Sequence, residues 1–127
     1  MPSKPELVLV MDDEPAVCDS IKALLLGRGY RVITTGSCED AIDLVSHFYP
    51  NLVLADVNMP CQSGLDFIQE LVVLGLLEDV PVIFVSALAR VQDIEAGMRA
   101  GAKDYITKPF TPETLFESVE KHIRKAA

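Results

Sequence analysis

The sequence predicts an α/β protein in which five strand–helix units wind into one parallel sheet with helices on both faces. Five short apolar runs recur at roughly twenty- to thirty-residue intervals, and helical periodicity fills the gaps between them. Several runs are near-continuous rather than alternating, as strands covered on both faces must be. Strands alternating with helices in this way join through right-handed crossovers into a parallel sheet.

The first strand is expected over Leu7–Met11 and runs directly into Asp12 and Asp13. Val17, Ile21, Leu24 and Leu25 follow at i, i+4, i+7 and i+8, one helical face that "GRG" stops. Arg31–Thr34 reads as the second strand. Ser37 and Asp40 then have capping-box-like spacing ahead of Ala41, Leu44, Val45 and Phe48. The third strand is expected over Leu52–Ala55. "SG" opens a helix lined by Leu65, Ile68, Leu71 and Val72. Val80–Val85 is the fourth strand, and Val91, Ile94 and Met98 line a helix that ends at Gly101. Asp104–Ile106 is the fifth. Thr111 and Pro112 are an N-cap and first-turn proline for a last helix lined by Leu115, Val119, His122 and Ile123. No linker, repeat or low-complexity tract interrupts the pattern. Residues 1–127 are expected to form one domain, with 1–5 a short N-terminal tail and no output domain in this chain.

Composition excludes several classes. Half of the 127 residues are hydrophobic and 24% are charged, enough for a core without staples. Cys18, Cys38 and Cys61 lack metal-ligand spacing and read as ordinary small side chains in a reducing compartment. No secretory leader or spanning apolar run is present, so a cytoplasmic location without membrane contact is expected. The formal charge is −8 with no basic stripe, which argues against direct nucleic-acid binding and for a cation or a basic partner surface.

Open α/β sheets bind ligands at the carboxyl ends of their strands. Asp12 and Asp13 follow the first strand, Asp56 and Asn58 the third, Ser86 and Ala87 the fourth, and Lys108 the fifth. Taken singly, each has an ordinary reading. The acid pair suits a solvated turn, Asp56 a turn, Ser86 a helix cap and Lys108 the surface. Taken together, three acids, a hydroxyl and a lysine converge on one sheet edge.

With "DDE" after the first strand, "DVNMP" and Gly64 after the third, "SA" after the fourth and "GAKDYITKPF" around the fifth, the chain resembles the receiver domain of two-component response regulators over nearly its whole length. The resemblance implies a flavodoxin-like doubly wound (βα)5 fold of strand order 2-1-3-4-5. It implies that Asp56 accepts a phosphoryl group from a histidine kinase or histidine phosphotransfer protein. Mg2+ would be held by Asp13 directly, by Asp12 largely through water, by Asp56 and by the backbone carbonyl of Asn58. Lys108, the Ser86 hydroxyl and the Ala87 N–H would bond the phosphoryl oxygens, with a cis Lys108–Pro109 bond. Ser86 and Tyr105 would relay the change to the surface of the fourth helix, fifth strand and fifth helix, for a downstream protein partner or output domain. Tyr105 reads equally as a half-buried ring, and Met98 and Phe110 read first as core residues. Ser63 departs from the family's usual aspartate. Leu88, two residues beyond Ser86, is apolar where fast-hydrolysing relatives carry a group able to orient water, which suggests a long-lived phosphoryl group.

Other readings fit less well. A flavin carrier of this architecture needs a hydroxyl- and glycine-rich phosphate loop where "MDDEPAV" offers carboxylates. A haloacid-dehalogenase-type phosphatase needs an aspartate where Asn58 stands. A receiver-like interaction module that is never phosphorylated is the remaining alternative. On the receiver reading the domain would catalyse its own phosphorylation and dephosphorylation without an external product, so a switch rather than an enzyme is expected.

Overall fold

A computed structural model of the chain describes residues 5–59 and 63–125. Cys61, Pro60 of the loop after the third strand and most of the 1–5 tail lie outside the described residues. The elements follow the expected alternation: β1 (Leu7–Met11), α1 (Pro15–Gly27), β2 (Arg31–Thr35), α2 (Cys38–Phe48), β3 (Leu52–Ala55), α3 (Gly64–Val73), β4 (Val82–Ser86), α4 (Val91–Ala100), β5 (Asp104–Thr107) and α5 (Pro112–His122). All strands are parallel, in the order β2-β1-β3-β4-β5. β4 starts two residues later than its apolar run. Pro81 has no N–H to give the ladder, although its carbonyl still accepts from Val53 N–H at 2.9 Å.

Because successive strand residues face opposite sides, the sheet divides the core in two. Leu9, Met11, Val53, Ala55, Val82 and Phe84 face α2, α3 and the last turns of α4, with Phe67, Ile68 and Leu71 packed on them. Val8, Val10, Leu52, Leu54, Ile83, Val85 and Ile106 face α1 and α5, against Ile21, Leu25, Leu115 and Val119. Each fully buried Val, Leu, Ile, Phe or Met among them contributes roughly 1.5–3 kcal/mol. The central strands β1, β3 and β4 are buried at every residue, whereas the edge strands β2 and β5 are half-buried.

Caps appear where the sequence places them. Ser37 Oγ accepts from Asp40 N–H and Thr111 Oγ1 from Thr114 N–H, each at 3.2 Å. At the start of α3, Ser63 and Asp66 form a reciprocal capping box. Three expected helix stripes need correction. Phe48 is 57% exposed, Val72 48% and Val91 68%, and Met98 is 41% exposed rather than in the core. Phe67 takes the buried position on α3, and α4 buries Gly97 instead. Phe110 does pack against the α1–α5 layer, as expected. Among the described residues no helix is long and apolar enough to cross a membrane.

Candidate functional site

The register brings the acids together. Met11 pairs with Ala55, so the next residues on neighbouring strands are Asp12 and Asp56. Backbone bonds pin both: Asp12 N–H donates to Thr35 O at 3.0 Å and Asp56 N–H to Met11 O at 2.9 Å. Both side chains are buried, at 3% and 5% exposure, while Asp13 is exposed beside them. One carboxylate oxygen from each of the three lies within 4.8 Å of the others.

Each buried carboxylate has one oxygen fixed by its own turn. Asp12 Oδ1 accepts from Glu14 N–H at 2.9 Å, and Asp56 Oδ1 from Asn58 N–H at 3.0 Å. The other oxygens share a cation. Lys108 Nζ donates to Asp12 Oδ2 at 2.7 Å and to Asp56 Oδ2 at 3.1 Å. Burial alone pulls the ammonium's pKa down, but the bonds to Asp12 and Asp56 outweigh it and hold Lys108 above its ordinary value. Lys108 arrives from β5 next to β4: its N–H donates to Ser86 O at 2.9 Å, and the Lys108–Pro109 peptide is cis.

Ser86 ends β4, fully buried, and Ala87 is exposed just beyond it. The Ser86 hydroxyl oxygen accepts from Leu88 N–H at 3.2 Å, while the Leu88 carbonyl accepts from Tyr105 O–H at 2.5 Å. One residue's main chain thus connects Ser86 to Tyr105. The Tyr105 ring meets Phe84 edge-on, with centroids 6.0 Å apart. Burial pushes the Tyr105 phenol up, against the influence of Ser86.

Two glycines build the floor and side wall of this region. A Cβ on Gly64 would stand 2.6 Å from the Asp56 carbonyl oxygen, so only glycine lets α3 start directly beneath the turn after β3. A Cβ on Gly97 would stand 3.0 Å from both the Phe84 and Tyr105 rings. Sequence reasoning noted Gly64 without a role and missed Gly97, Glu14 and the Leu88 bridge. Cys18 was also missed: its thiol donates to Asp12 O at 3.3 Å, and burial first, then Asp12, pushes its pKa up. Backbone donors and close approaches leave no residue-type signal, so only the spacing of Gly64 from Asp56 could have pointed to one of them.

The sheet edge therefore holds a buried carboxylate bonded to an ammonium, a second buried carboxylate on the same ammonium and an exposed third. This all-oxygen acidic donor set fits a hard divalent cation.

The family model described as the response regulator receiver domain matches residues 8–120. The chain is 37% identical over 126 residues to a probable transcriptional regulator, ycf27, of Porphyra purpurea, covering 99% of this chain and 51% of that protein. It is 31% identical over 118 residues to the DNA-binding response regulator MtrA of Mycolicibacterium smegmatis, covering 93% of this chain and 50% of that protein. The chain thus spans about half the length of these curated relatives. The crystal structure of chemotaxis protein CheY4 of Vibrio cholerae superposes with a TM-score of 0.87 at 24% identity, covering 94% of this chain and 99% of that one, a likeness of fold.

Proposed function

The chain belongs to the response regulator receiver domain family, and from that premise we propose that it is a phosphorylation-activated switch with Asp56 as the acceptor. The observation that carries this reading is the buried Asp56 carboxylate, bonded to Lys108 and set beside Asp12 and Asp13. A carboxylate is a weak nucleophile, so such a site has to supply position and charge neutralisation. The donor is a phosphohistidine on a histidine kinase or histidine phosphotransfer protein. A carboxylate oxygen of Asp56 bonds to phosphorus as the P–N bond breaks, and the imidazole takes the leaving electron pair.

Lys108 neutralises Asp56 before transfer and donates to a phosphoryl oxygen afterwards. The Ser86 hydroxyl and Ala87 N–H serve the remaining oxygens. Asp12, Asp13, Asp56 and the Asn58 carbonyl would hold Mg2+, which when bound supplies positive charge to the phosphoryl oxygens. As Ser86 turns to the phosphoryl group it leaves Leu88 N–H. The Leu88 carbonyl holds Tyr105, so the change reaches α4, β5 and α5. The output passes to a downstream protein partner or an output domain, as the relative named a DNA-binding response regulator suggests. The domain is regulatory and yields no external product.

Incubation with acetyl phosphate, with and without Mg2+, followed by intact mass, tests the acceptor. One phosphoryl group should be gained only with Mg2+ and not by Asp56→Asn. No gain in the wild type under conditions where Mg2+ binds would instead favour a phosphorylation-independent interaction module. Leu88 offers no group to orient an attacking water, so Leu88→Glu should shorten the phosphoryl lifetime about tenfold. An unchanged decay rate would remove that role.

A further inference from the structure

Asp13 is the exposed member of the three acids, and among the described residues no hydrogen bond holds its carboxylate. Where it stands depends on the peptide that joins it to Asp12. That peptide is planar, so its carbonyl and the N–H of Asp13 turn together. The carbonyl, Asp12 O, accepts from the Cys18 thiol at 3.3 Å.

This bond closes a circuit around the turn from β1 into α1. Glu14 N–H donates to Asp12 Oδ1 at 2.9 Å, Cys18 N–H donates to Glu14 O at 3.2 Å, and the Cys18 side chain returns to Asp12 O. Of the three, the last is the one made by a side-chain donor. Cys18 is buried in the apolar layer that holds Val10, Ile21 and Leu54, so the core fixes where its sulfur lies. The turn between β2 and α2 backs the same peptide: a Cβ on Gly36 would come 3.6 Å from Asp12 O and 3.7 Å from Asp13 Cα. A buried cysteine ordinarily serves as a small hydrophobe. This one also meets a carbonyl, which can only accept, in the peptide that carries Asp13.

We propose that Cys18 is a positioning residue for the divalent cation: its S–H···O bond sets the Asp12–Asp13 peptide and so keeps the Asp13 carboxylate gathered with those of Asp12 and Asp56. The cation then meets three carboxylates already assembled and does not have to order the exposed one as it binds. The inference rests on the reading of these acids as metal ligands. Groups that orient metal ligands set affinity by about ten- to a hundredfold, and a thiol is a weak donor, so the effect of Cys18 falls at the low end.

The test is a Mg2+ titration of the 15N-labelled full chain, wild type beside Cys18→Val, Cys18→Ala and Cys18→Ser, followed at the Asp13 and Asn58 amides. Valine keeps an apolar side chain in the core without a donor, whereas serine keeps a donor. Cys18→Val and Cys18→Ala should raise the Mg2+ Kd about five- to tenfold, and Cys18→Ser should stay within about twofold of wild type. Urea midpoints measured with chelator separate positioning from packing. Cys18→Ala should lose more stability than Cys18→Val, yet the two should lose Mg2+ affinity alike. Wild-type affinity in Cys18→Val, a loss in Cys18→Ser as large as in Cys18→Val, or affinities that simply track the urea midpoints would each overturn the positioning role. A wild type whose Asp13 and Asn58 amides show no saturable shift would overturn the metal reading itself, and this inference with it.

Discussion

Lys108 places one ammonium between two buried carboxylates, so its removal leaves Asp12 and Asp56 facing each other without a counter-charge. Stranding buried charge in this way is costly. Lys108→Ala should therefore lose about 3 kcal/mol in urea unfolding with chelator present. Excess Mg2+ should recover more stability in this variant than it adds to wild type, because it would replace the missing positive charge. Equal Mg2+ effects on the two proteins would argue that the acids do not share a cation site. Gly64 makes a purely steric prediction. An added Cβ meets backbone at 2.6 Å, and backbone cannot rotate away. Gly64→Ala should thus cost about 3 kcal/mol by urea unfolding, far more than alanine costs at an open position such as Gly27.

Asn51 ties elements together across the amino edge. Its Oδ1 accepts from Leu7 N–H at 2.8 Å, and its Nδ2 donates to the Arg124 carbonyl at 2.9 Å. Asn51→Ala leaves both groups without this partner and should destabilise the fold by about 2 kcal/mol, read as a lower urea midpoint at unchanged slope. Hydrogen exchange should quicken first at the start of β1 and the end of α5. At this scale the sequence was informative wherever a local rule acted. Pro112 behind Thr111, Ser63 ahead of Asp66 and the apolar β1, β3 and β4 all fall where local chemistry puts them. It misled at α4, because periodicity reports which face is apolar and not which face is covered. Val91 and Met98 share a stripe, yet the helix approaches Phe84 and Tyr105 through Gly97, and that approach leaves both apolar side chains in solvent. The convergence of Asp12, Asp56 and Lys108 was legible from strand order. The Leu88 link was not, since main-chain bonds carry no side-chain signature.

Across the whole molecule the parallel sheet separates two poles. Every strand delivers its polar residue to the carboxyl edge, while β1 begins and α5 ends at the amino edge, joined through one asparagine. That closeness has a topological consequence. Linking Pro5 to Lys125 with a short flexible peptide would make the backbone a nearly closed ring, which could be reopened elsewhere. The exposed turn at Gly75 is a suitable opening: it has a positive φ of 72° and open space around its Cα. A circular permutant starting there should fold cooperatively, with a far-ultraviolet dichroism spectrum like that of the parent. Its acidic pocket should remain intact, and loss of cooperative unfolding would show that the order of synthesis matters to this fold. Success would put both new ends at the amino pole, far from Asp56. A reporter fused there would leave the pole that carries the acidic pocket free.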